Sequence, residues 1–185
     1  MYTKELIDKL IAKFPDAVAV VTPEKFVRDP APQVMVPAAK LHEICEFIKS
    51  DKDFAMDMPN QMTAVDYIKE EQFELLYFLY STKLKHGILI KSRIPRGTPE
   101  IASVTDLWNG MDFQEREVFD LMGITFKGHP YLKRIMMWDG FPGHPLRKDY
   151  VHTTDKYDSG LEIGTPGLNE KGLPADYKAG GAAHA

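Results

Sequence analysis

The run Phe73-Glu-Leu-Leu-Tyr-Phe-Leu-Tyr-Ser-Thr82, followed after Lys83-Leu84-Lys85 by His86-Gly-Ile-Leu-Ile-Lys-Ser92, decides the reading of the fold. Both segments are rich in aromatic and β-branched residues, and a turn-length polar gap separates them, so they read as two antiparallel strands of a meander. Working outward, Phe54 to Met58 and Met62 to Ile68 give two further strand candidates on the N-terminal side. Ala17 to Val21 and Gln33 to Val36 are short β-branched runs on either side of the break Asp29-Pro-Ala-Pro32.

Helical spacing appears twice before the meander. Leu6, Ile7, Leu10, Ile11 and Phe14 form one apolar face over residues 3–14, which Pro15 ends. Residues 37–50 open on a proline and place Leu41, Ile44, Cys45 and Ile48 together. The fold class that follows is α+β: a mixed, largely antiparallel sheet with two helices on one face, then a short helical module and an extended C-terminal tail. The expected segments are an α+β sheet module over 1–93, a helical connector and second helix over 94–123, a basic extended stretch over 124–150, and a partner-binding tail over 151–185. Ile94-Pro-Arg-Gly-Thr-Pro-Glu100 supplies the first of these breaks. Ser103 to Trp108 reads as a short connecting helix, and Asp112 as the cap of the helix 113–122, with Glu115 in capping-box spacing and Gly123 as its stop. After Tyr150 the apolar residues are scattered among glycine and proline with no period, which suits a segment ordered by a partner.

Composition excludes several classes. A chain of 185 residues with 44% hydrophobic and 27% charged residues can bury a core, and a net charge of −4 carries no uniform nucleic-acid footprint. The one cysteine, Cys45, cannot form an internal disulfide or supply the several thiolates of an iron–sulfur cluster or zinc ribbon, and it reads as a core residue. The longest apolar run, Leu75 to Tyr80, is far short of the roughly 20 residues of a spanning helix. The charged N-terminus lacks a signal peptide's apolar core. No glycine fingerprint or Walker loop marks a nucleotide site. Expected cofactors in this chain are therefore none, catalytic and metal residues none.

The richest chemistry lies in Glu115-Arg-Glu-Val-Phe-Asp-Leu-Met-Gly-Ile-Thr-Phe-Lys-Gly-His-Pro130 and Gly143-His-Pro-Leu-Arg-Lys-Asp-Tyr150. Asp112, Arg116 and Asp120 follow one another at i,i+4 steps, Glu115 lies on a second line and Glu117 on a third. Spacing alone fits either a solvated charged helix or a helix whose charges meet a partner. His129 and His144 are each followed by proline and lack companions at metal-ligand spacing, so a structural role in a turn is expected of both. Between residues 127 and 149, Lys127, Lys133, Arg134, Arg147 and Lys148 against Asp139 and Asp149 leave five minus two, or +3, which suits an acidic protein face reached by Arg147.

These two stretches resemble the C-type subunit of respiratory complex I, the NADH:quinone oxidoreductase of bacteria, and the related subunits of membrane-bound hydrogenases. The likeness extends more loosely to Thr63-Ala-Val-Asp66-Tyr67 and Leu76-Tyr77-Phe78-Leu79-Tyr80-Ser81. It implies a cofactor-free structural subunit of the hydrophilic arm, docked on the large quinone-site subunit beside the iron–sulfur subunits. FMN, iron–sulfur clusters and quinone would reside in those partners, and membrane association, on the cytoplasmic side of the bacterial inner membrane, would come through them alone. The implied docking residues are Glu115, Arg116, Glu117 and Asp120 on the helix, His129 and Arg134 after it, and His144, Arg147, Lys148, Asp149 and Tyr150 in the second stretch. The other readings are the equivalent subunit of a hydrogenase-type complex, and a small soluble enzyme using Glu115 or Glu117 as acid/base with His129.

Overall fold

The computed structural model describes residues 2–21, 31–138 and 140–151. The tail expected to bind a partner, beyond Val151, lies outside the described residues. A five-stranded sheet runs β1 (Ala19–Val21), β2 (Gln33–Met35), β5 (His86–Pro95), β4 (Gln72–Ser81), β3 (Met58–Tyr67) across its width. Every pair is antiparallel except β2 with β5. The sheet is thus mixed and largely antiparallel, as the sequence indicates.

Strand alternation builds the core. Phe73, Leu75, Tyr77 and Leu79 of β4 stand beside Ile94, Ser92, Ile90 and Ile88 of β5, all buried on one face. Against that face pack Leu6 and Leu10 of α1 (Tyr2–Lys13) and Leu41, Ile44, Cys45 and Ile48 of α2 (Leu41–Ser50). Cys45 is fully buried, and burial raises its thiol pKa far enough to leave it an inert thiol. The core continues without interruption through Ile101, Val104, Val118, Met122, Ile124 and Phe126, so the residues on either side of the Ile94–Glu100 break share one interior.

A second unit was only partly legible in the sequence. β6 (Glu100–Ala102) and β7 (Thr125–Lys127) pair in parallel, with α3 (Met111–Met122) as the crossover between them. Two three-residue strands give too little periodicity to be read in advance. Other expectations are corrected. Of the stretch Phe54 to Met58 only Met58 is in a strand, as the first residue of β3: Ala55 adopts a φ of 44°, and Met56 N donates to Ile48 O at 3.1 Å, so the rest wraps the end of α2 and buries Phe54 and Met56. Ser103 to Trp108 is a turn and not a helix, because its polar groups are held by α3. Helix α3 begins at Met111, and Glu115 does not close a capping box with Asp112; its carboxylate points at the Ser103–Val104 turn instead.

Candidate partner-docking surface

An α-helix leaves its last four carbonyls without intrahelical partners. At the end of α3 each finds one. Gly123 N donates to Phe119 O at 2.9 Å, His144 Nδ1 to Asp120 O at 2.8 Å, Leu146 N to Leu121 O at 3.0 Å and Arg147 Nε to Met122 O at 2.6 Å. The second Gly-His-Pro stretch is thus the C-terminal cap of α3, supplied from some 25 residues away in the chain. The guanidinium also places positive charge at the negative end of the helix dipole. Gly123 turns the chain with a φ of 70°, and a Cβ there would come within 3.0 Å of His144 and Arg147. Burial lowers the His144 pKa against the bond to Asp120 O, the nearby Arg147 and Arg134 charges also lower it, and the Nδ1 that makes this bond carries a proton.

The loop after β7 is gathered by one carboxylate. Asp120 is fully buried, and its Oδ2 accepts from the backbone N–H groups of Ile135, Met136 and Met137 at 3.0, 2.7 and 2.9 Å. Its Oδ1 stands 3.6 Å from Arg134 Nε, an ion-pair distance that compensates the buried charge. His129 ties the other end: Nδ1 accepts from Tyr131 N at 3.0 Å, leaving Nε2 to donate towards Asp112 O at 3.3 Å. Among the described residues no group of three or more His, Cys, Asp or Glu side chains is placed to hold a metal ion.

A third anchor joins this assembly to the main sheet. Asp66 of β3, 2% exposed, receives Arg96 Nε at 2.9 Å and Lys148 N at 2.9 Å, and Arg96 also grips Asp149. Burial pushes the Asp66 carboxyl up, yet the bonds from Arg96 and Lys148 outweigh it and hold its pKa below the ordinary value. The Arg96 and Arg147 guanidinium groups both lie over the Phe73 ring, at 5.6 and 5.3 Å.

Most of the charged residues expected to meet a partner are therefore engaged inside the subunit. Glu115 and Asp120 have no exposed surface, the His129 side chain is buried, and Arg134, His144, Arg147 and Asp149 are committed to intrachain bonds. For Glu115 and Asp120 direct docking is corrected: neither can touch another molecule while the chain is folded. Glu117 and Lys148 are exposed, and Tyr150 is half-buried in the same region. Burial, opposed by the bonds from Ser103 and Val104, moves the Glu115 carboxyl up to about 7.

What this scaffold turns outward is apolar. Phe113, Tyr131, Met136, Trp138 and Leu146 are exposed by 64, 55, 57, 39 and 58%. Arg116 lies against both Phe113 and Tyr131, at 5.5 and 5.4 Å, and its Nε donates to Lys133 O at 3.0 Å. Lys133 Nζ also lies over the Tyr131 ring, at 4.6 Å. Trp138 packs edge-on against Phe141 at 4.6 Å. Exposed large apolar side chains backed by stacked cations are the composition of protein interfaces, where aromatic residues, methionine and arginine are enriched. Sequence reasoning missed the apolar members, since scattered single aromatics between charges carry no periodic signal; the run Tyr131-Leu-Lys-Arg-Ile-Met-Met-Trp138, aromatic and methionine residues around one basic pair, was the available hint.

Fold and surface together define a small α+β protein built around one capped helix. The profile of the family described as "Respiratory-chain NADH dehydrogenase, 30 Kd subunit" matches residues 34–156, and the chain belongs to that family, the C-type subunits of NADH-quinone oxidoreductase. It is 43% identical over 124 residues to the C-type NADH-quinone oxidoreductase subunit of Moorella thermoacetica, covering 67% of this chain and 82% of that one. A protein of Phocaeicola vulgatus named as a joint C/D NADH-quinone oxidoreductase subunit is 40% identical over 119 residues, 64% of this chain and 22% of its own. Among solved structures, a chain of the archaeal membrane-bound sulfane sulfur reductase, a respiratory membrane complex, superposes with a TM-score of 0.68 at 26% identity, covering 80% of this chain and 85% of that one.

Proposed function

We propose that this chain is a cofactor-free structural subunit in the hydrophilic arm of NADH:quinone oxidoreductase, docking on the large quinone-site subunit through the face formed by Phe113, Arg116, Tyr131, Met136, Trp138 and Leu146. The observation that carries this reading is that most of the charged signature residues are engaged within the chain while the large apolar side chains around them stay exposed. The quinone-site subunit as the occupant is supported by the relative with the joint C/D name, of which this chain matches a small part. Flavin, iron–sulfur clusters and quinone belong in this reading to the partner subunits, and the chain contributes to electron transfer and proton translocation by holding them in place. It would sit peripherally on the cytoplasmic side of the inner membrane, and among the described residues no helix is long and apolar enough to cross a membrane. Likeness to the sulfane sulfur reductase chain keeps a second membrane-bound redox complex as the alternative host.

An acid/base enzyme using Glu115 or Glu117 with His129 is disfavoured, because the Glu115 and His129 side chains are buried in structural bonds. The test is to isolate the tagged chain from its own membranes under mild detergent. The quinone-site and iron–sulfur subunits are expected to come with it, whereas the free chain is expected to be colourless. Purification alone at all detergent levels, or stoichiometric flavin or cluster absorption in the free chain, would overturn the proposal.

A further inference from the structure

Glu115 is wholly buried, with Oε2 2.6 Å from Ser103 Oγ and Oε1 receiving Val104 N at 2.8 Å. Ser103 Oγ lies 2.8 Å from Thr105 Oγ1 and accepts from Thr105 N at 3.2 Å. Two buried groups from other elements lie close enough to feel its charge. From α2 comes the buried Cys45; from β4 comes Tyr77, whose hydroxyl has no hydrogen-bond partner among the described residues. The charged groups that act on Glu115 are Asp106 from the turn and Asp112 from its own helix, both acidic. Basic groups nearby on α2 are engaged elsewhere, His42 with Asp106 at 2.8 Å and Lys49 with Leu107 O. A buried carboxylate surrounded by hydroxyls, a thiol and like charges is one that gains by holding a proton.

We propose that Glu115 is an internal proton-binding site that couples the grip of the Ser103–Thr105 turn on α3 to pH. When the carboxyl is protonated, its O–H donates to Ser103 Oγ, the Ser103 hydroxyl turns its own proton to Thr105 Oγ1, and Val104 N keeps its acceptor. On ionisation the proton leaves to solvent, the Ser103 hydroxyl reverses towards the carboxylate, and a buried charge held only by hydrogen bonds, with acidic neighbours, remains beside α3. The inference concerns the free chain and stands whether or not the docking face is correctly identified.

Burial places the folded-state value near 7, against an ordinary 4.5. A carboxyl raised on folding stabilises fully below its unfolded value, and that stabilisation is lost as pH rises through the folded one. Between about pH 5 and about pH 8 the unfolding equilibrium should therefore shift by on the order of 10²-fold towards the unfolded state from this group. His144, whose pKa burial lowers, acts in the opposite sense over part of this range, so the measurement is a difference between two proteins. Glu115→Gln keeps both contacts, its carbonyl accepting from Val104 N and its amide donating to Ser103 Oγ. Denaturant unfolding of the full wild-type chain and of Glu115→Gln across that range should give curves that diverge by the stated factor, the variant gaining relative to wild type as pH rises, while Glu117→Gln runs parallel to wild type. Parallel wild-type and Glu115→Gln curves would overturn the proposal. Should Glu115→Gln fail to fold, carbon NMR of wild-type chain labelled at the glutamate carboxyls decides instead: one resonance titrating near neutrality supports it, and all titrating at ordinary values overturns it.

Discussion

Gly123 shows how much one residue without a side chain can fix. Its positive φ ends α3, and the space a Cβ would need is filled by the His144 ring and the Arg147 guanidinium, the groups that satisfy the helix carbonyls. Gly123→Ala must either strain the backbone or displace both caps. A loss of about 2–4 kcal/mol is expected, read as a lower denaturant midpoint with unchanged slope, together with faster exchange of the Leu146 amide. The glycine's role as a helix stop was legible in the sequence, because it follows the last apolar residue of a helical pattern. That His144 and Arg147 complete the stop was not, since a cap delivered from the far side of a loop leaves no local spacing to read. Glu115 was misread for the same reason: a glutamate three residues after an aspartate resembles a capping box, and only the return of the Ser103 turn reveals its true partners.

At the scale of elements, the strands with ten-residue pairing were visible in advance, because alternation over that length selects one register. The β6–α3–β7 crossover was half visible, the helix clear and its two short strands hidden. What locks the 144–150 segment, which caps α3, to the sheet is the Asp66–Arg96–Asp149 cluster with Lys148 N, and its response to acid follows in sign. The Asp66 and Asp149 pKa values are both lowered on folding, chiefly against burial by Arg96 and Lys148 for the first and by Arg96 for the second. Groups depressed on folding stabilise above their unfolded values, near 3.8, and that contribution is lost as pH falls through the folded ones. Below about pH 4 the 144–150 segment is expected to detach before the sheet melts, seen as exchange of the Lys148 amide rising ahead of the β4 and β5 amides. Asp66→Asn should move this release to neutral pH, because it leaves Arg96 partly uncompensated where it is 11% exposed. Simultaneous loss of all these amides would show that the segment has no separate stability.

For the whole molecule, the division between support and surface separates the effects of substitutions. A residue in the support should alter stability and assembly together, and a residue on the face should alter assembly alone. Arg116 is the informative case, since it touches both: its Nε holds Lys133 O, while its guanidinium plane stacks against the exposed Phe113 and Tyr131 rings. In the free chain these contacts face solvent, and Arg116→Ala should cost only about 1 kcal/mol. Once the rings are covered by a partner, the same stack is desolvated, and truncating an arginine at the centre of such a patch costs about 2 kcal/mol or more, a loss of roughly 30-fold or greater in affinity. The expected result is a free subunit whose melting temperature falls by a few degrees and whose recovery with the quinone-site subunit is sharply reduced. Arg116→Lys should not rescue recovery, because an ammonium cannot stack on two rings at once. If instead the free chain collapses while the folded fraction assembles normally, Arg116 belongs to the support, and the docking face must be sought elsewhere on the molecule.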